Sequence, residues 1–560
     1  MCGIAGMLGD QEGVEPLIMR IAHRGPNGIR VTETPRYTLA HARLSIIDLE
    51  GGWQPLSAAG STIIGNGEIY NYRELAEQFQ LQGKLSTGSD FEPLLHIYAQ
   101  EGEAAFDRLR GMYAFCLIGA DGRTWLVRDP FGIKPLYIQP QLGGAAAFSS
   151  EPRSFGNARV TRDIARQVAN LNYTLNDDTA WPGVLRVRPG AVEEFVDGAL
   201  VERRRRSPIG APRARIRDEA EAIAALDQVL EDSINVHQRS DVPYGLFLSG
   251  GVDSAAVATM MARLNQRPVI AYTCGFDAPG AHDERAQAER VARALNLDWR
   301  ETQFGEADFW AIAPQVAWAM DDPVADYACL PTYKLAAAAK QSLTVVLTGE
   351  GGDELFAGYG RYRRALRPKL FGGRPAEPQT ATDAQTLAAW RERAAPPPGL
   401  SALQQAQWSD IATWLPNDLL LKLDRCLMAH GMEGRTPFLD PEVAAFAFHL
   451  PDALKVRGRF GKYLLRKWLA QHCPAAEPWA KKRGFTVPVA AWIAPRAATL
   501  ARTLADVQSV RAACDEQTLG AIFSDDAHAD RRWPLLFLGL WHRIHVEGAA
   551  PDEALTSLVG

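Results

Sequence analysis

The chain has no apolar run long enough to cross a membrane, no cysteine pair at metal-ligand or redox spacing, and no large excess of charge. Each absence removes a class of function. A spanning helix needs about 20 consecutive apolar residues, and neither such a run nor a basic-then-apolar leader is found. A cytoplasmic enzyme without membrane contact is expected. The seven cysteines, Cys2, Cys116, Cys274, Cys329, Cys426, Cys473 and Cys514, are scattered without a C-x-x-C. That excludes an obvious zinc site and fits reduced, buried thiols. A net charge of −6 speaks against a general nucleic-acid binder. The run Arg203-Arg204-Arg205-Arg206 is the local exception, and a solvated linker explains it more simply than a binding patch.

What is present is an ordinary globular composition, 47% apolar and 22% charged, in 560 residues. That length exceeds one core, so two or more domains are expected. Up to about residue 200 the chain reads as α+β, dominated by short strands. Tyr113 to Ile118 and Thr124 to Val127 flank the turn Gly119-Ala120-Asp121-Gly122, a hairpin signal; Thr62 to Ile64 and Ala147-Phe148 are similar runs, and Leu94 to Tyr98 belongs to a helix. Val201 to Arg217 reads as the linker. Beyond Asp218 helical runs alternate with apolar strands at Gly245 to Leu248, Pro268 to Tyr272 and Leu343 to Leu347, the grammar of a parallel α/β sheet. Ala365 to Leu400, rich in Pro, Gly and Ala, reads as a mobile excursion.

Cys2 is the most informative residue. Once Met1 is removed, its α-amine would sit beside its thiol, a base and a nucleophile in one residue. A cysteine near a terminus is by itself more often a chance residue. The signal gains weight from Ser249-Gly250-Gly251-Val252-Asp253-Ser254, which follows an apolar strand and opens a helix at Ala255 to Leu264. Its glycines can present amides to phosphate and Asp253 can hold a divalent metal. No lysine follows the glycines, so this is not a Walker loop. A second loop, Thr348-Gly349-Glu350-Gly351-Gly352-Asp353-Glu354, also follows a strand. A capped turn is the plain explanation; a Mg²⁺ and substrate role is preferred, because Asp253 and Asp353 would converge if their strands were neighbours.

Together with Cys2-Gly3-Ile4, His23-Arg24-Gly25-Pro26, Ala42 to Asp48, Asn66-Gly67-Glu68-Ile69-Tyr70-Asn71, Ser89-Asp90, Arg128 to Pro135, Asp424-Arg425, Glu433 to Asp440, Gly461 to Arg466 and Lys482-Arg483-Gly484-Phe485, these motifs resemble the glutamine-dependent asparagine synthetases over nearly the whole chain. The resemblance implies an α+β N-terminal-nucleophile sandwich (αββα), a class II glutamine amidotransferase domain, at 2–205. At 218–550 it implies an α/β domain with a parallel sheet of the ATP-pyrophosphatase (adenine nucleotide alpha hydrolase-like) type. By resemblance, Cys2 attacks the glutamine amide, Asn66 and Gly67 stabilise the oxyanion, Arg43 grips the α-carboxylate, and Asp90 and Glu68 take the α-ammonium. Leu248, Ser249, Gly250, Gly251, Asp253, Ser254, Cys274, Thr348 and Gly349 would bind ATP. Asp253 and Asp353 would hold Mg²⁺, Lys462 would balance charge on the reacting phosphate, and Glu350 would lie beside the acceptor. The family commonly has Asp where this chain has Asn27; glutaminase activity is expected to survive.

The implied reaction hydrolyses glutamine, activates aspartate with ATP as an acyl-adenylate, and yields asparagine, AMP and pyrophosphate. Expected partners are glutamine, ATP and aspartate or another small carboxylate, with a homodimer as the candidate assembly. The rival readings are the same chemistry on a peptide, sugar acid or secondary metabolite, a stand-alone glutaminase, and an RNA-thiolating enzyme. The intact nucleotide loops speak against the glutaminase, and the acidic chain without paired cysteines speaks against the last.

Overall fold

The structure, a computed structural model, describes all residues except 1, 10–12, 142–144, 197–198, 212–215, 217, 277–282, 368–369, 371–372, 374–376, 379–382 and 482–486. Two six-stranded antiparallel sheets come first. One runs in the order Leu185–Arg186, Tyr137–Pro140, Ala146–Ser149, Gly3–Leu8, Tyr37–Ala42, Ile29–Thr34; the other runs Ala199–Arg205, Ala191–Val196, Thr124–Arg128, Gly111–Ile118, Ser61–Ile69, Leu56–Ala58.

Alternation explains how the sheets stack. Ala114, Cys116 and Ile118 join Ile4, Leu8, Leu39 and Phe148 in the core between the sheets. Tyr113, Phe115 and Leu117, pointing the other way, pack with Leu94 and Leu95 of the helix Glu92–Glu101. The helix Val14–Met19 covers the opposite sheet through Val14 and Ile18 against Ala5, Met7, Ala40 and Ala42. The central strand Gly111–Ile118 is therefore buried on both faces and reads as a continuous apolar run. The layers are αββα, as expected, and the predicted hairpin at 119–122 joins its two strands.

The third sheet is parallel, in the order Asp298–Phe304, Ile270–Phe276, Tyr244–Phe247, Val345–Leu347, Glu433–Arg435. From Tyr244–Phe247 the chain first builds outward to one side, then returns to place Val345–Leu347 on the other. That reversal makes a topological switch point, where α/β sheets bind ligands at the carboxyl ends of their strands. Both glycine-rich loops leave the sheet there.

Three expectations change. The stretch 201–217 is not all linker: Ala199–Arg205 is an edge strand paired with Ala191–Val196. Its arginines find acids at hand, Arg203 on Glu194 and Arg204 on Asp107. In the stretch 365–400, the described part includes a helix, Ala384–Arg393, capped by Asp383 and anchored by buried Trp390. Two strands of the parallel sheet escaped the reading. Asp298–Phe304 is a half-exposed edge with charged alternate positions, and Glu433–Arg435 is charged at both ends. Lys482 to Phe485 lie outside the described residues.

Candidate active sites

The first site lies where the two antiparallel sheets meet. Cys2 precedes the strand Gly3–Leu8, whose Gly3 pairs with Ala42, so Cys2 is brought beside Arg43. The Cys2 backbone nitrogen donates to Asn66 Oδ1 at 3.1 Å, across to the second sheet. Asn66 is fully buried, and its Nδ2 has no hydrogen-bond partner among the described residues. A buried amide donor left bare costs free energy, and this one is held beside a thiol. The Cys2 sulfur lies 3.8 Å from the Leu44 carbonyl. Burial pushes its thiol up, with Arg43 acting in the other direction.

Gly67 adopts a φ of +131°, and a Cβ there would lie 2.0 Å from the Met112 carbonyl oxygen, so only glycine fits. Arg43 is buried; Nη2 donates to the Asp48 carbonyl at 2.5 Å, Trp53 lies under the guanidinium at 4.9 Å, and Nη1 has no hydrogen-bond partner among the described residues. Half of the fork is thus available for an anion. Asp90 accepts from the Ile69 amide at 2.7 Å, and burial raises its carboxyl to about 7. Asn27 answers the question its position poses: its Oδ1 accepts from the Ser45 amide at 3.0 Å, bracing the segment that carries Arg43.

Glu68 differs from its neighbours. It faces the other half of the molecule, with Oε1 3.7 Å from Arg435 Nη2. Burial first, then Glu433 and Asp90, hold its carboxyl well above the ordinary range. Arg435 also donates to Glu433 at 2.5 Å, and its carbonyl accepts from the Thr348 amide at 2.9 Å. One residue therefore stands between the first site and the second loop. A further buried bridge crosses nearby. Arg24 reaches the Cys2 carbonyl at 3.3 Å, Glu151 at 2.8 Å and both oxygens of Asp424 at 2.7 and 3.1 Å. Arg425 continues it to Asp321 at 2.8 Å. Asp424-Arg425 is present in the sequence as a motif, but its role as a clasp needs the fold.

The second site lies at the switch point. The parallel pairing of Tyr244 with Val345 sets the two loops side by side. Ser249 and Ser254 hydroxyls bond at 2.9 Å, closing the first loop over the start of the helix Val252–Leu264. Gly250 donates its amide to Glu284 at 3.1 Å and Gly251 to Ser249 Oγ at 3.1 Å. A carboxylate thus already sits on a loop amide expected to meet phosphate. Leu248, Thr348 and Gly349 follow two adjacent strands, and Cys274 lies near the end of the third, half-buried and with its thiol raised to about 12 by burial. Gly349 packs on Asp253, where a Cβ would approach the Asp253 Cβ to 2.8 Å.

Lys462 closes the site. Its Nζ bonds Asp253 and lies 2.6 Å from Asp353 Oδ1. The predicted convergence of the two aspartates is therefore present, bridged by a cation. Lys462 has a φ of +55°, a strained conformation for a side chain of this size. It is held by its amide bonding to the Phe356 carbonyl at 3.0 Å. Gly358 makes room: a Cβ there would lie 1.7 Å from Asp353 Oδ1 and 2.2 Å from Lys462 Cε. Sequence reasoning missed Gly358, although its place soon after the acidic loop was a signal. Glu350 stands apart from this pair, 3.9 Å from Lys422 Nζ, with burial raising its carboxyl and Lys422 opposing. Among the described residues no group of three or more His, Cys, Asp or Glu forms a metal cluster, and no helix is long and apolar enough to cross a membrane.

The comparisons agree with this arrangement. A glutamine amidotransferase domain model matches residues 1–205 and an asparagine synthase model matches residues 225–543. The chain is 31% identical to asparagine synthetase [glutamine-hydrolyzing] 1 of Bacillus subtilis, over 99% of each chain. It is 28% identical to asparagine synthetase B [glutamine-hydrolyzing] of Escherichia coli, over 87% of this chain and 81% of that one. Amidase chyE of Penicillium rubens is 30% identical over 65% of this chain and 57% of its own length. With both halves matched and a relative 31% identical over 99% of each chain, the chain belongs to the glutamine-hydrolysing asparagine synthetase family and is a ligase.

Proposed function

We propose that Cys2 hydrolyses glutamine to ammonia, and that the second site activates aspartate with ATP as an acyl-adenylate and joins the two to give asparagine, AMP and pyrophosphate. The observation that carries the first half is the bare, buried Asn66 Nδ2 beside Cys2. It would donate to an oxyanion as the thiolate attacks, an interaction whose loss costs about 3–4 kcal/mol in related chemistry. The free arm of Arg43 fits the glutamine α-carboxylate, and Asp90 supplies negative charge for its ammonium. With Met1 gone, the Cys2 α-amine would take the thiol proton and return it to the leaving ammonia.

In the second half, Lys462 is buried between Asp253 and Asp353. Two converging carboxylates fit Mg²⁺, which takes one or two protein oxygens and completes its shell with water and phosphate. Bound there, Mg²⁺ supplies charge neutralisation for the departing pyrophosphate. Lys462 would turn its ammonium from the aspartates to the reacting phosphate. Glu350, whose carboxyl burial pushes up while Lys422 opposes, would as a carboxylate receive a proton as ammonia attacks. Arg435, between Glu68 and Thr348, marks the boundary that ammonia would have to cross.

The rival acceptor reading keeps its interest because amidase chyE shares part of this build. The deciding experiment measures pyrophosphate release with ATP, Mg²⁺, ammonium and a panel of carboxylates, without glutamine. Aspartate should lead. A larger carboxylate that releases pyrophosphate while aspartate does not contradicts the asparagine reading.

A further inference from the structure

Arg43 and Asp90, read above as the contacts for the two charges of the glutamine head group, come from different parts of the chain, and a single residue holds both. Asp48 accepts through its carbonyl from Arg43 Nη2 at 2.5 Å and from the Gly52 amide at 3.0 Å. One oxygen of its carboxylate accepts from the Gly51 amide at 2.9 Å, an ordinary local turn. The other accepts from the Gly88 amide at 2.8 Å, 40 residues on and just ahead of Asp90. The segment around Gly88 is pinned from its other side by buried Glu92, which accepts from the Ser86 and Thr87 amides at 2.6 and 2.7 Å. Glycine lets the turn close this tightly: a Cβ on Gly52 would lie 3.0 Å from both Arg43 Nη2 and the Asp48 carbonyl oxygen.

Asp48 needs support to stay in this place. Its φ of +51° lies in the left-handed region, which a residue with a side chain occupies at a cost and keeps only where its surroundings hold it. The hold comes from the other half of the molecule. Asp241 lies between the helix Glu219–His237 and the strand Tyr244–Phe247. Its carboxylate accepts from the Asp48 amide at 2.8 Å, and its own amide donates to the Ile46 carbonyl at 2.9 Å. Two bonds in opposite directions thus clamp the backbone of residues 46–48, and the one to a carboxylate is of the stronger kind. The plain explanation is a contact that helps to join the halves. The buried clasp of Arg24 and Asp424 already does that, and Asp241 is exposed, so its bond adds little to the union. What it does fix is the conformation of the residue behind Arg43.

We propose that Asp48 is a positioning residue for glutamine binding, and that Asp241, on the other half of the chain, fixes Asp48 in that role. Neither touches glutamine. The contacts run from Asp241 to the Asp48 backbone, and from Asp48 to Arg43 by its carbonyl and to the Gly88 to Asp90 segment by its carboxylate. The α-carboxylate and α-ammonium of glutamine sit a fixed distance apart, so the groups that meet them must be spaced to match, and one residue tied to both sets that spacing. Affinity for glutamine then depends on a residue from the half of the chain that never meets it. This rests on the reading of Arg43 and Asp90 as the glutamine contacts.

The test is made in the intact chain. Asp241→Ala should raise the KM for glutamine at least ~5-fold, while kcat for glutamine hydrolysis and synthesis from ammonium stay within about twofold. Asp241→Asn keeps an oxygen able to accept from the Asp48 amide, and should return the KM to within about twofold of the unmodified enzyme. Asp48→Ala also loses the bond to Gly88 and should raise the KM at least ~10-fold; Asp241→Ala supplies the reading if Asp48→Ala fails to fold. Arg43→Met should raise the KM as well. Combined with Asp241→Ala, its loss should be smaller than the product of the two single losses, because both changes act on one contact. Any of four results overturns the positioning role and leaves the head-group reading standing: an unchanged KM in folded Asp241→Ala, an equal fall in synthesis from ammonium, an Asn variant no better than Ala, or a double loss equal to the product. A glutamine KM untouched by Arg43→Met overturns the head-group reading and this inference with it.

Discussion

The two sites solve opposite electrostatic problems. Around Cys2 the polar groups are donors left open in a tight space: Asn66 Nδ2 and Arg43 Nη1 are buried without hydrogen-bond partners among the described residues, and Gly67 keeps the wall close. Around Lys462 every charged group already has a partner, but two acids, Asp253 and Asp353, share one ammonium, so the cluster carries an excess acid. An amide substrate is neutral where it reacts, so its site can wait with bare donors. A triphosphate carries its charge in with it, so its site holds its cation on carboxylates beforehand and exchanges partners when the nucleotide and a further cation arrive. The same holds for the Gly250 amide, which already carries the Glu284 carboxylate.

That contrast predicts which substitutions separate the sites. The largest effect belongs to Cys2→Ala, which should remove glutamine-dependent synthesis by roughly a thousandfold or more, with ammonia-dependent synthesis retained. Synthesis from glutamine at a normal rate would end the nucleophile assignment. Next, Asp353→Asn leaves Lys462 with a single acid, and ATP-dependent pyrophosphate release should fall about 100-fold while glutamine hydrolysis continues. Equal losses in both assays would mean that the sites are not separable in this way.

The join between the halves gives a third. Arg24 and Asp424 are a fully buried pair, and removing one partner of such a pair costs about 3–5 kcal/mol. Arg24→Met should therefore lower the denaturation midpoint far more than Arg108→Met, whose partner Glu101 is on the surface. A similar small shift in both variants would show that the clasp contributes little.

A smaller effect concerns pH. Asp90 is raised to about 7, by burial first and with Glu433 as a like charge nearby. Its ionised form, the one that attracts an ammonium, dominates above that pH and is lost below it. The KM for glutamine should rise as pH falls below about 7, and Asp90→Asn should flatten the dependence. A profile unchanged by that substitution would assign the ammonium to another group. The smallest expected effect is Asn27→Asp: either side chain can accept from the Ser45 amide, so glutaminase activity should stay within about twofold.

Much of this was legible in the sequence because the signals are local. Apolar runs such as Gly111–Ile118 and Val345–Leu347 announce strands buried on both faces. The glycine-rich loops announce where those strands end. What stayed hidden was long-range. The edge strand Asp298–Phe304 is too polar to stand out, because one edge and much of its surface meet solvent. The arginines of Ala199–Arg205 looked like a linker because their acid partners, Glu194 and Asp107, lie elsewhere in the chain. Lys422 carries no signal of its own in the sequence, and only the fold brings it to Glu350, about 70 residues away in sequence. Glu68, read as a glutamine contact, turns out also to face Arg435 across the join.

The most direct test is a product count in a single reaction. The unmodified enzyme is given glutamine labelled with nitrogen-15 in its amide, unlabelled aspartate, ATP and Mg²⁺, and the products are quantified by mass spectrometry and nucleotide chromatography. The account predicts asparagine carrying the label in its side-chain amide, with glutamate, AMP and pyrophosphate formed in equal amounts. Glutamate without labelled asparagine, or ATP split to ADP and phosphate, would contradict it.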